Sequence, residues 1–345
     1  MSSSAPPRAA ILGCAGSTLG RDERDFFRAA DPLGFILFAR NCVEPEQVRD
    51  LVASLRAAVG RDDAPVLIDQ EGGRVARLKP PYWRAAAPAA AFGALAKRDR
   101  ARAARATFLN ARLIASELSA LGITIDCAPV LDLGLPETHG VIGDRAFASA
   151  PETVAFLGQA FCDGLMAGGV IPVIKHIPGH GRARADSHLE LPTVETGRAE
   201  LAATDFAPFR ALHRVPWAMT AHVRYRALDP ERAATVSAKI LRDIVRGEIG
   251  FEGVLVSDDL GMKALAGDMG ARAAAALAAG CDLVLHCSGE RGDMEAVTRA
   301  TPPMAPESAA RIARAESNRR RAAEKAPPFE PNAARAELDG LLAAS

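Results

Sequence analysis

Eight short and nearly unbroken apolar runs recur along the chain, at positions 10–14, 34–38, 65–68, 123–128, 170–174, 217–220, 254–256 and 283–285. No other feature restricts the fold so tightly. The runs are rich in β-branched residues and lack the apolar–polar alternation of a half-exposed strand, so each reads as a strand buried on both faces. Strands of that kind belong to a parallel sheet covered by helices. The intervening stretches supply those helices. Pro45 is placed to open one in which Val48, Leu51, Val52, Leu55 and Val59 recur at helical spacing before Gly60. Val154, Leu157, Phe161 and Leu165 repeat the pattern before Gly168-Gly169, and Gly122, Gly253 and Gly280 stand just ahead of strands, where a helix must end and the chain turn inward. The rhythm has no linker, and no GxGxxG follows the first run. It predicts an α/β fold, a closed (β/α)8 barrel of TIM type, as a single domain over 1–345 with a peripheral Pro/Ala-rich tail from about residue 326.

Composition narrows the partners. Hydrophobic residues make up 49% of the 345, enough for a large core, and 42 Lys and Arg balance 42 Asp and Glu. A chain with zero formal net charge lacks the basic footprint of a nucleic-acid binder, and Arg319-Arg320-Arg321 reads as a solvated helix face. The six cysteines form no CxxC pair and several lie in apolar runs, so neither structural zinc nor a disulfide framework is expected. The opening MSSSAPPRAAILGCAG is too short in its apolar run and too weakly basic for a secretory signal, and the alanine-rich stretch 271–279 is too short to cross a bilayer. A cytoplasmic protein without a membrane partner is expected.

A parallel barrel gathers its active site at the C-terminal ends of its strands. Those ends carry Asp69, Lys175-His176, His222 and Ser257-Asp258-Asp259, and the loop after 123–128 carries Gly143-Asp144-Arg145. Asp258 or Asp259 could instead cap a helix running through Met262 and Ala264, although capping needs only one of the two. Lys175-His176 could equally form a structural ion pair. Asp69 precedes Gly72-Gly73, a pair that permits unusual backbone angles close to a ligand. The densest segment runs from Lys175 through His176 and His180 to Asp186-Ser187-His188. Three histidines invite a metal site, but Pro178-Gly179 separates His176 from His180 and denies them a shared helical face, so no metal or cofactor is expected. Asp186 suits an orienting carboxylate for His188, and such a dyad makes a general acid/base near neutral pH. The competing reading is a glycine-rich surface loop with incidental histidines.

Together these segments resemble glycoside hydrolase family 3, most closely its single-domain bacterial β-N-acetylhexosaminidase branch. The DQEGGRV stretch is present at 69–75 with Arg77 just beyond, the VIGDR loop at 141–145, the KH(F/I)PGHG…DSH block at 175–188, and the nucleophile stretch at 253–262. Ile177 replaces the commoner phenylalanine and Gly261 stands where serine is frequent. Related β-glucosidases carry a second α/β domain that supplies an acid catalyst; a chain of this length is expected to find its acid/base within the barrel. The resemblance implies that Asp258 is the nucleophile, His188 the acid/base and Asp186 its partner. It further implies that Asp69, Arg77, Arg145, Lys175 and His176 bind the sugar. The implied activity is retaining removal of terminal N-acetylglucosamine through a glycosyl-aspartate, with no cofactor. The implied substrate is a muropeptide bearing N-acetylglucosamine on anhydro-N-acetylmuramic acid, in peptidoglycan recycling. The alternatives are a sugar-binding barrel without catalysis, a metallohydrolase using His176, His180 and His188, and a glycoside phosphorylase of the same family.

Overall fold

The computed structural model describes residues 6–343 apart from 137, 139, 184, 186 and 188. Among the described residues there are ten strands: β1 (Arg8–Gly13), β2 (Pro32–Leu37), β3 (Val66–Ile68), β4 (Ile125–Asp126), β5 (Ile171–Ile177), β6 (Thr193–Val194), β7 (Trp217–Thr220), β8 (Arg224–Tyr225), β9 (Val254–Asp259) and β10 (Leu283–His286). Eight of them close a parallel barrel in the order β1-β10-β9-β7-β5-β4-β3-β2, and each falls on one of the expected apolar runs. The remaining two, β6 and β8, form a separate two-stranded sheet that the sequence did not announce.

The absence of alternation in the strands has a simple cause: both faces meet apolar layers. Ile11, Leu67, Val173, Val254, Val256 and Leu285 belong to the core inside the barrel, whereas Leu12, Ile68, Ile174, Leu255 and Val284 belong to the core between barrel and helices. Successive side chains of one strand therefore serve different cores. The helix Pro306–Lys325 contributes Ala315 to the inner core, and Met304 just before it joins them.

Helix ends follow the expected chemistry in part. Pro45–Val59 starts with its proline in the first turn and stops at Gly60, whose φ of 64° is left-handed. Gly122 and Gly280 also have positive φ, at 79° and 117°. Gly253 does not; it is small because Pro216 approaches, and a Cβ there would sit 2.5 Å or less from that carbonyl oxygen, at 2.4 Å. No helix runs through Met262 and Ala264; the next helix, Met269–Ala279, is capped by Asp268, which accepts the Ala271 N–H at 2.8 Å. The capping alternative for Asp258 and Asp259 therefore fails. The stretch after 326 contains a helix, Pro331–Ala343, that buries Ala334 and Leu338 and pairs Glu337 with Arg105 of the helix Arg100–Ser119. Among the described residues, no helix is long and apolar enough to cross a membrane.

Candidate active site

The two-residue period of the strands carries directly into the site. Phe38, Asp69, Lys175, Asp258 and Cys287 each stand two positions beyond an inner-core residue, namely Ile36, Leu67, Val173, Val256 and Leu285. They continue the inward rows past the point where the barrel is filled, and all five line a cavity of about 390 Å³ at its C-terminal mouth. Arg77, Arg145 and His176 line the same cavity. The structure thus brings together Asp69, Arg77, Arg145, Lys175, His176 and Asp258. Asp186 and His188 lie outside the described residues.

Five charged side chains form a ladder of alternating sign along one wall. Arg77 donates to Asp69 Oδ2 at 2.9 Å, and Lys175 Nζ donates to Asp69 Oδ1 at 2.8 Å. The same ammonium lies 2.7 Å from Glu71 Oε1, and Arg145 grips Glu71 with two hydrogen bonds of 2.8 Å. Burial alone would push the Asp69 and Glu71 carboxyls up; the adjacent cations overcome it and hold both below the usual carboxylate range. Burial would likewise lower Lys175 and Arg145, and their carboxylate partners raise them instead. The ladder is charged throughout near neutral pH.

Gly72 and Gly73 make Glu71's position possible. Their φ values are 96° and 57°, and a Cβ on Gly72 would meet the Ala87 carbonyl oxygen at 2.4 Å. The Glu71 N–H donates to Val75 O at 3.0 Å and the Gly73 N–H to Ala86 O at 2.8 Å. The glycines thus shape the bend that aims Glu71 inward, and their close neighbours are Ala87 and Pro88 of the chain itself.

The opposite wall carries Asp258. Its Oδ1 accepts the Asp259 N–H at 2.8 Å, and its Oδ2 lies 3.9 Å from His176 Nε2. Burial pushes this carboxyl up, but the neighbouring imidazoles of His176 and His222, the Asp259 N–H and Lys175 together outweigh it, and the acid sits below its ordinary value. His176 Nδ1 is 2.6 Å from Asp132 Oδ2. Asp132 was not among the expected residues, nor was a role for Glu71. His222, a strand-end candidate, is fully buried with its ring between Thr235 Oγ1 and the Asp259 carbonyl, away from the cavity lining. His180 lines the cavity and is 3.2 Å from Ser187 Oγ; its burial, with neighbouring His176, lowers it to about 4.

An anionic carboxylate facing an imidazole across a small cavity, with a wall of fixed charges, can deliver a nucleophile to a polyhydroxylated substrate held by hydrogen bonds. Residues 22–315 match the family model described as the glycosyl hydrolase family 3 N terminal domain. The chain is 42% identical over 308 residues to a beta-hexosaminidase of Alkalilimnicola ehrlichii, covering 88% of this chain and 87% of that one. It is 40% identical over 281 residues to a beta-hexosaminidase of Pseudomonas aeruginosa, covering 81% and 82%. Among solved structures, NagZ from Neisseria gonorrhoeae in complex with N-trifluoroacetyl-D-glucosamine matches with a TM-score of 0.86 and 33% identity, over 98% of this chain and 99% of that chain.

Proposed function

The chain belongs to glycoside hydrolase family 3 and is a β-N-acetylhexosaminidase, and from that premise we propose that it is a retaining exo-β-N-acetylglucosaminidase with Asp258 as nucleophile. One observation carries this reading. Among the described residues, Asp69 and Glu71 are each bound by two cations, while Asp258 is paired with neither Arg nor Lys and keeps an oxygen facing the cavity. A carboxylate not tied to a fixed cation keeps its nucleophilic lone pair available.

In the first step an Asp258 oxygen attacks the anomeric carbon as the bond to the aglycone oxygen breaks, and protonated His188 gives its proton to that oxygen. In the second, water attacks the same carbon, His188 takes the water proton, and the Asp258 carboxylate leaves restored. The net change is one water consumed and one glycosidic bond broken, with configuration retained. Asp186 orients the His188 imidazole, and the ladder of Arg77, Asp69, Lys175, Glu71 and Arg145 offers donors and acceptors to hydroxyls and the acetamido group. A cavity of about 390 Å³ lies near the low end of the ~300–1,000 Å³ of small-molecule sites, which favours one terminal sugar over an internal stretch of polysaccharide. The substrate is a muropeptide carrying N-acetylglucosamine on anhydro-N-acetylmuramic acid, cleaved in the cytoplasm during peptidoglycan recycling.

The test is hydrolysis of a chromogenic β-N-acetylglucosaminide with the β-glucoside as control. A buried polar group left unpaired by a missing acetamide is costly, so a strong preference for the acetamido sugar is expected. Equal kcat/KM on the two rejects the assignment. The natural substrate is tested separately by mass spectrometry of the purified muropeptide after incubation, where release of N-acetylglucosamine is expected and an intact disaccharide overturns that choice.

A further inference from the structure

Asp132 is buried without exposed surface beside the cavity, and the reaction outlined above assigns it no task. Its two oxygens are differently employed. Oδ1 accepts the main-chain N–H of His176 at 3.1 Å and that of His180 at 2.6 Å, so one atom closes the turn across Ile177-Pro178-Gly179. Oδ2 lies 2.6 Å from His176 Nδ1.

The direction of that last hydrogen bond matters. Burial pushes the Asp132 carboxyl up, yet the imidazole and the N–H groups around it bring the acid down to about 2. An ionised carboxylate only accepts, so Nδ1 must carry the proton. With Nδ1–H directed at Asp132, the uncharged form of the His176 ring presents the lone pair of Nε2 toward the cavity, where Asp258 Oδ2 stands 3.9 Å away. That separation is too long for a hydrogen bond between the two. It leaves Nε2 free to accept from a third group, and the donors of a sugar are its hydroxyls and its amide.

We propose that Asp132 is a positioning residue that fixes the Nδ1–H tautomer of His176, so that Nε2 meets the sugar as a hydrogen-bond acceptor beside the nucleophile. The same carboxylate holds the backbone of His180, whose ring reaches Ser187, and so joins the sugar-binding histidine to the segment that bears Asp186 and His188. This rests on the glycosidase reading for its substrate, but its central claim is a proton position that can be measured without substrate.

The experiment is a comparison of wild type with Asp132→Asn. The amide oxygen keeps the two main-chain N–H groups, because the amide nitrogen cannot accept from them. The amide nitrogen therefore faces Nδ1 as a donor, and the imidazole must move its proton to Nε2. Nitrogen-15 NMR of the imidazoles, with His176→Gln identifying the signals, should show Nδ1–H in the wild type and Nε2–H in Asp132→Asn. The melting temperature should change little, and kcat/KM on the chromogenic β-N-acetylglucosaminide should fall about 10–100-fold, the range for partners that orient a functional histidine. Asp132→Ala should lose activity and thermal stability together, because the turn loses its acceptor. A wild-type enzyme in the Nε2–H form overturns the proposal even where the variant does not fold, and so does a reversed tautomer with unchanged kcat/KM. A wild-type enzyme inactive on the glucosaminide, with Nδ1–H intact, instead rejects the glycosidase reading and leaves the tautomer assignment standing.

Discussion

Asp258 and Asp259 are neighbours at the end of β9 and turn their carboxylates to different uses. Asp259 Oδ1 accepts the Gly261 N–H at 3.0 Å and the Cys287 N–H at 3.1 Å, tying the loop after β9 to the end of β10. Asp258, of opposite parity on the strand, continues the inward row of Val254 and Val256. Asp258→Ala should therefore lose kcat by several orders of magnitude with little change in melting temperature. Asp259→Ala should lose less activity and more stability, since two backbone donors are left unpaired. A slow fluorosugar should label the peptide containing Asp258; labelling elsewhere, or a reversed rank of the two variants, would show that the wrong aspartate has been chosen.

Glu71 stands between Lys175 and Arg145, with side-chain exposures of 7%, 3% and 11%. Removing this carboxylate leaves Lys175 with Asp69 alone and Arg145 without its carboxylate partner. Breaking a buried pair in this way typically costs ~3–5 kcal/mol. Glu71→Ala should show that loss in chemical denaturation and also a raised KM, because Arg145 loses the partner that aims it. Glu71→Gln should retain part of both. Wild-type stability in Glu71→Ala would mean that the ladder is solvated.

How far the sequence revealed this arrangement depended on what each residue packs against. The barrel strands were legible because two apolar cores write an unbroken hydrophobic run, as in Val254-Leu255-Val256. Their ends were not: β5 runs on to Ile177 and β9 to Asp259, where Lys175, His176 and Asp258 interrupt the hydrophobicity while the backbone pairing continues. The sheet of β6 and β8 has two residues per strand, too few to show a period. Asp132 sits in Val130-Leu131-Asp132-Leu133, and the available signal was a lone carboxylate inside an apolar stretch just past a strand end. Nothing local says that its partners are 44 and 48 residues away. Glu71 was visible within its motif, but which carboxylate meets Lys175 is settled only by the bend at Gly72-Gly73.

Asp126 should give the protein an unusual pH dependence. It is fully buried, with Oδ1 accepting the Gln70 N–H at 2.9 Å and Oδ2 without a hydrogen-bond partner among the described residues. Burial pushes its carboxyl up to about 8. The unfolded group titrates near ~3.9, so between about 4 and 8 the native state binds the extra proton. Stability from this group is therefore complete at acid pH and falls as pH rises toward 8, the reverse of an ion-paired carboxylate. Asp126→Asn keeps the Gln70 hydrogen bond and removes the titration. Its melting temperature should gain on wild type steadily from pH 5 to pH 8, and a constant difference over that interval would contradict the assignment.

His188 carries the least conventional part of the proposed reaction, because a histidine does the work usually given to a second carboxylic acid. An acid catalyst matters in proportion to the basicity of the group that departs. His188→Ala should therefore impair the first step most on natural or alkyl aglycones. On an activated aryl glycoside that step should be nearly spared, since such a leaving group departs with little protonation. The second step still lacks its base, so the glycosyl-enzyme should accumulate and release of the aryl group should show a burst followed by a slow steady state. Steady-state losses should reach or exceed the ~10²–10⁴-fold typical of general acid–base catalysis. Asp186→Ala should give a milder form of the same pattern, because the imidazole remains while its orienting partner is lost. A His188→Ala enzyme slowed equally on activated and unactivated glycosides, with no burst, would assign the residue to binding and move the proton transfer to another group.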